Sequence, residues 1–141
     1  MPQYLLPGVY VQEAPPSVHP VPGILPSRLL RIAQLTANPQ AREAELRIER
    51  AIRTELQWLR SAPNTPPTWA QAQLLVENAL QGYWRMGVLF GSRPQEAFFV
   101  RCDRTTMTPA DIQAGRCNLL VGLALLQPAQ YVILRITAIS G

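Results

Sequence analysis

The stretch GVLFGSRPQEAFFVRCDRTTMTPADIQAGRCNLLVGLALLQPAQYVILRITAI, residues Gly87 to Ile139, decides the fold. Three of its segments, Ala97 to Cys102, Asn118 to Leu126 and Tyr131 to Ile139, are continuous apolar runs rich in Val, Ile, Leu and Phe, and each predicts a strand. In the middle run both alternating sets are apolar. Leu119, Val121, Leu123 and Leu125 fall on one side and Leu120, Ala124 and Leu126 on the other, so this strand is expected to be covered on both faces, at the centre of a sheet.

Between the first two runs, TTMTPADIQAG (Thr105 to Gly115) offers Thr108 as N-cap, Pro109 at N1, Asp111 at N3 and Gly115 as the stop of a short helix. Upstream, SAPNTPP (Ser61 to Pro67) is a loop by composition. Thr68 followed by Gln71 then predicts a capping box, opening a helix whose stripe is Trp69, Ala72, Val76, Ala79, Leu80 and Tyr83 and continues to Trp84 and Gly87. A first helix is expected from about Pro39 to about Leu59, with Asn38 as N-cap. Its stripe takes in Ala44, Ile48, Ala51, Ile52, Trp58 and Leu59, and its polar face pairs Glu43 with Arg47 and Glu49 with Arg53. Glu55 interrupts that stripe, so either the helix ends sooner or Glu55 meets an Arg. Residues 24–36 fit a brief helix or a strand equally.

At the N-terminus PGVYVQEA (Pro7 to Ala14) alternates as a short strand, and Pro15, Pro16, Pro20, Pro22 and Pro26 follow it at a density that favours an extended, polyproline-like arm. A lone strand is not stable. The segment is either an unstructured tail or an arm that adds its strand to the sheet edge of a neighbouring subunit. The whole predicts an α/β (α+β) fold, a small mixed sheet packed by two main helices, with residues 1–23 as an extended arm and residues 24–141 as the folded domain.

Composition narrows the function. The chain of 141 residues suits one domain, and its 13 basic residues are all Arg, giving a net charge of +4 without a stripe of Arg interleaved with exposed aromatics. No nucleic acid is therefore expected as partner. Cys102 and Cys117 fall in apolar runs and are expected to be reduced and buried. The single histidine, His19, lies in the Pro-rich segment, away from acids and thiols. Asp103 and Asp111 alone make a poor cation cage, and GVLFGSRP lacks the Lys and the spacing of a phosphate loop. The expectation is no enzyme, no cofactor, no metal and no membrane insertion.

The order and spacing of EAFFVRCD, TTMTPADIQAGR, VGLA, PA and YVILRI resemble the C-terminal domain of contractile tail sheath proteins of phage tails, tailocins and related injection systems. PGVYVQEAPPSVHPVPG resembles the N-terminal arm of the same family, RIERAIRTELQW the helix leading into the domain, and Trp84 to Gly91 its W-x-x-G-x-L-x-G pattern. The large middle of an ordinary sheath subunit is missing between Gly23 and about Ala41, and Gln127 and Gln130 stand where the family often carries a basic and an acidic residue.

The resemblance implies a structural subunit that self-assembles into a helical polymer of hexameric rings around an inner tube and contracts to drive the tube through a target envelope. It implies donated strands at Val9, Tyr10, Val11, Gln12 and Glu13 and, in a C-terminal arm of residues 130–141, at Tyr131, Val132, Ile133, Leu134, Arg135 and Ile136. The receiving sheet would be Phe98, Phe99, Val100, Arg101 and Cys102 with Leu119, Leu120 and Val121. Partners would be further copies of the chain, the inner tail tube protein, and baseplate or cap proteins. The particle would be found assembled in the bacterial cytoplasm or as a virion tail. Two rival expectations remain: a sheath-like cap or static filament protein, and a small basic nucleic-acid-associated domain, which salt-dependent DNA binding would reveal.

Overall fold

A four-stranded antiparallel sheet in the order β1-β4-β3-β2 organises the computed structural model, which describes residues 8–13, 35 and 37–140. The strands are β1 (Gly8–Glu13), β2 (Phe98–Arg101), β3 (Arg116–Leu123) and β4 (Val132–Ile139). The α+β class expected from the sequence is observed. The sheet is not mixed, however, because every neighbouring pair runs antiparallel. The Pro-rich segment with His19, and residues 24–34 and 36 of the undecided stretch, lie outside the described residues.

The register puts Cys117, Leu119, Val121 and Leu123 of β3 on the same face as Val132, Leu134, Ile136 and Ala138 of β4. This face carries the main core. Against it pack α1 (Pro39–Glu55), a 3-10 turn at Gln57–Ser61 and α2 (Pro66–Arg85). As expected, Asn38 caps α1, its Oδ1 accepting the Ala41 N–H at 3.1 Å. The helix stops at Glu55, which is exposed, and Leu56 and Leu59 in the following 3-10 turn continue the buried line. That line is Ala41, Glu45, Ile48 and Ile52, with Ala44 and Ala51 only half-buried. Glu45 is a fully buried acid, and it is paired with Arg42 one turn away. The expected Glu43–Arg47 pair forms at 3.7 Å on the open face, where such pairs contribute only a few tenths of a kcal/mol, roughly.

The second helix starts earlier than its capping-box signal predicts. Thr65 is the N-cap, Pro66 and Pro67 occupy the first turn, and Thr68 is buried at the third position with its hydroxyl 3.4 Å from that of Thr65. The tandem prolines decide this, because their fixed φ suits the first turn and their missing N–H groups leave no orphan donors there. At the other end Gly87 sits at φ +80°, its N–H donating to the Trp84 carbonyl and that of Val88 to the Tyr83 carbonyl. These two bonds close a Schellman motif. The Trp84 indole N–H then donates to the Gly91 carbonyl at 2.8 Å, which folds the chain back toward β2. A one-turn helix, α3 (Pro94–Ala97), enters β2 directly and carries no signal that the sequence pattern resolves.

Between β2 and β3 the chain forms a 3-10 turn, Arg104–Thr106, and α4 (Pro109–Ala114), capped as expected by a Thr108–Asp111 box and ended by Gly115 at φ +71°. The Asp111 carboxylate accepts from the Thr108 N–H (2.9 Å), the Arg116 Nε–H (2.8 Å) and the Asn118 Nδ2–H (3.0 Å), while Thr137 donates to Asn118 Oδ1 at 3.0 Å. This network covers one end of the other sheet face. Burial alone would raise the Asp111 carboxyl, but the bonds from Thr108 and Arg116 outweigh it and hold the carboxyl below the usual range. A carboxylate whose acidity is increased on folding stabilises above its unfolded value, near pH 3.9, and loses that contribution as pH falls through the folded value. Asp111→Ala removes the cap partner and leaves Asn118 short of an acceptor, so a loss of about 2 kcal/mol at neutral pH is expected. In urea titrations the variant should also lose less stability than the parent chain between pH 5 and pH 2.

Candidate assembly surface

β1 reaches the rest of the structure chiefly through β4. Its six residues pair with Ile139 through Leu134, and it lies at the edge of the sheet. Val9, buried, and Val11, half-buried, are the β1 side chains that join the main core, whereas Tyr10 points to the opposite face and is 36% exposed. Ordering six residues costs about 6–12 kcal/mol of backbone entropy. Six ladder positions at about 1 kcal/mol each and two valines at about 2 kcal/mol each return a similar sum, so β1 is held marginally. Residues 14–38, which separate it from α1, have a contour of at most about 85 Å.

β4 is held very differently. All eight of its residues pair with β3, from Val132↔Leu123 to Ile139↔Arg116, and Val132, Leu134 and Ile136 are buried on the core side. On the other side Ile133 joins a second cluster with Tyr131 and Ala124, with Phe99, Leu120 and Ala129 packed around them. The Phe99 and Tyr131 rings meet edge-to-face at 5.1 Å, Arg101 stands over Phe99 at 5.8 Å, and the Tyr131 hydroxyl donates to the Gln95 carbonyl at 2.7 Å. β3 is thus covered on both faces, as expected, except at half-buried Arg116 and Leu120.

Of the residues named as donors and receivers, the structure brings Val9 to Glu13 against Leu134 to Ala138, and Leu119, Leu120 and Val121 against Ile136, Arg135 and Leu134. It does so within one chain. Tyr131 precedes β4 rather than lying inside it. Phe98, Phe99, Val100 and Arg101 pair with β3 and touch neither β1 nor β4 in the ladder. Cys102 follows β2, and its N–H donates to Oε1 of Gln73 on α2 at 3.1 Å, so a side chain blunts this edge of the sheet.

The connection between β3 and β4, residues 124–131, carries a feature that strand patterns did not reveal. Ala129 lies at φ +56°, a left-handed conformation that costs a residue with a Cβ about 1 kcal/mol. Around it, the Ala129 N–H donates to the Glu96 carbonyl at 2.8 Å, the Ala124 N–H to the Ala97 carbonyl at 2.9 Å, and the Gln127 amide to Gln130. The positive φ at Ala129, next to Pro128, is a tertiary result. Ala129→Gly should therefore raise the melting temperature by a few degrees, equivalent to roughly 0.5–1 kcal/mol.

Among the described residues no helix is long and apolar enough to cross a membrane, and no three His, Cys, Asp or Glu side chains form a cluster able to hold a metal. No family model matches the chain, and none of the curated proteins does. Solved structures do. The chain is 36% identical, with a TM-score of 0.54, to a chain of the anti-feeding prophage baseplate, over 60% of its own length and 24% of the other's. It is 35% identical, with a TM-score of 0.53, to a chain of the sheath complex of an extracellular contractile injection system, PVC, in the contracted state, again over 60% and 24%. The chain thus spans about a quarter of the length of these neighbours and is similar in structure to components of contractile injection systems.

Proposed function

We propose that this chain is a structural subunit of a contractile tail sheath, reduced to the domain through which subunits join. In the polymer β1 and β4 leave their own chain and occupy the same places in the sheets of neighbouring copies. Ring upon ring would be linked by such exchanged strands around an inner tube, and the helical pitch could change without the subunits separating. The observation that supports this reading most is the sheet itself: β1 and β4 form its outer half, β1 is tethered only through residues 14–38, and β4 follows a strained turn at Ala129. A strained connection such as that at Ala129 favours exchange between copies, because an extended form relieves it, and the long connection through residues 14–38 leaves β1 the reach to do so.

The two structural neighbours agree in kind, one belonging to a baseplate and the other to a contracted sheath complex. Further copies of the chain, a tube protein and baseplate components are the partners this role requires, and the chain acts as scaffold rather than as enzyme. Electron microscopy of the purified chain at physiological salt, with and without the tube protein from the same particle, tests the role. Rings or tubes with six-fold symmetry are expected, and a strictly monomeric protein in both conditions would overturn it.

A further inference from the structure

Cys102 and Cys117 are 3% and 4% exposed, and their sulfurs lie 3.7 Å apart on the core side of the sheet. One follows the last residue of β2, and the other is the second residue of β3. A disulfide needs the sulfurs about 2.05 Å apart, so side-chain rotation has to close roughly 1.6 Å. The pair is not sealed. A groove of about 490 Å³ lined by Trp69, Ala70, Gln73, Leu74 and Arg104 runs to Cys102, wide enough for a molecule the size of a peroxide.

We propose that Cys102 and Cys117 are an oxidisable dithiol, converted by hydrogen peroxide into a disulfide that staples β2 to β3. One thiolate attacks a peroxide oxygen; the O–O bond breaks, a sulfenic acid forms and hydroxide leaves. The hydroxide takes the proton of the second thiol, whose thiolate attacks the sulfenic sulfur, so that the S–S bond forms as the S–O bond breaks. Two thiols and one peroxide become one disulfide and two waters, with two electrons passing from sulfur to oxygen. The groove reaches Cys102, so its sulfur meets the peroxide first, while Cys117, hydrogen-bonded to it, stands in place as the second thiol.

The staple closes a loop of about 15 residues containing α4 and touches neither β1 nor β4. It therefore fixes one half of the sheet and leaves the other half free to pair.

The native chain is treated with hydrogen peroxide, unfolded, and alkylated with N-ethylmaleimide for intact-mass measurement. Before treatment two labels are expected; after it, none, with the chain lighter by two hydrogens and still monomeric on a non-reducing gel. The melting temperature should rise by about 10 °C and fall back with dithiothreitol. Cys117→Ser should show no such rise. Two labels persisting after treatment, added oxygen in place of lost hydrogen, or links only between chains would each overturn the proposal. The wild-type mass decides the matter even if the variant fails to fold.

Discussion

Leu134→Pro is expected to abolish folding. Leu134 is fully buried at the middle of β4, opposite Val121 on one side and Glu13 on the other. Proline removes a ladder donor and clashes in an interior strand, at a cost of about 3 kcal/mol or more, and loss of the leucine contacts adds about 3 kcal/mol. The total approaches the whole stability of a domain this size, about 5–15 kcal/mol. Exchange between copies offers no rescue, because every copy carries the same broken strand. Far-ultraviolet circular dichroism should show lost helix content and the chain should aggregate. By contrast, Arg135→Ala, one residue on and on the half-open face, should change stability by less than about 1 kcal/mol. A Leu134→Pro chain that melts like the parent would mean that β4 is not a central strand.

Deleting residues 1–22 should have the second largest effect, and on assembly rather than on folding. The deletion takes away β1, which contributes Val9, Val11 and a six-position ladder. Since gain and cost nearly cancel there, stability should fall by no more than about 2 kcal/mol. On the proposed exchange, polymer should be lost completely, because one of the two exchanged strands is gone and the outer edge of β4 is bare. Sedimentation velocity would show the parent chain as large particles and the truncated chain as monomer or small oligomer. Assembly that continues unchanged would remove β1 from the mechanism.

Local signals were legible where a single residue type suffices to dictate geometry. Asn38 before Pro39, Thr108 with Asp111 and Gly115 appear where the sequence places them, and each apolar run holds a strand, although the middle strand spans Arg116–Leu123 and stops short of Ala124 to Leu126. Signals that compete were not. Thr68 has the spacing of a cap, yet Pro66 and Pro67 capture the helix start first. The apolar stripe read for the first helix passes over Glu45, which is fully buried beside Arg42. The outer cover of β3 comes from Phe99 lying close against Gly122, and from α4, rather than from a helix layer, a matter of tertiary placement that periodicity does not carry. Least legible was which sheet a strand joins. The alternation in Val9–Glu13 and Val132–Ile136 specifies a face and a register, but identical copies offer identical partners, so sequence alone is silent on whether the partner strand belongs to the same chain.

That question has a direct measurement. Tyr10 and Thr137 are register partners on the half-open face of β1 and β4. Two singly substituted chains, Tyr10→Cys and Thr137→Cys, are coexpressed, allowed to assemble and oxidised mildly, and the products are digested and identified by mass. Strand exchange predicts covalent pairs joining one chain of each kind, through the peptides that carry positions 10 and 137. If β1 and β4 pair only within their own chain, the mixed polymer yields no such link, while the doubly substituted chain closes on itself as a monomer. That result would contradict the account.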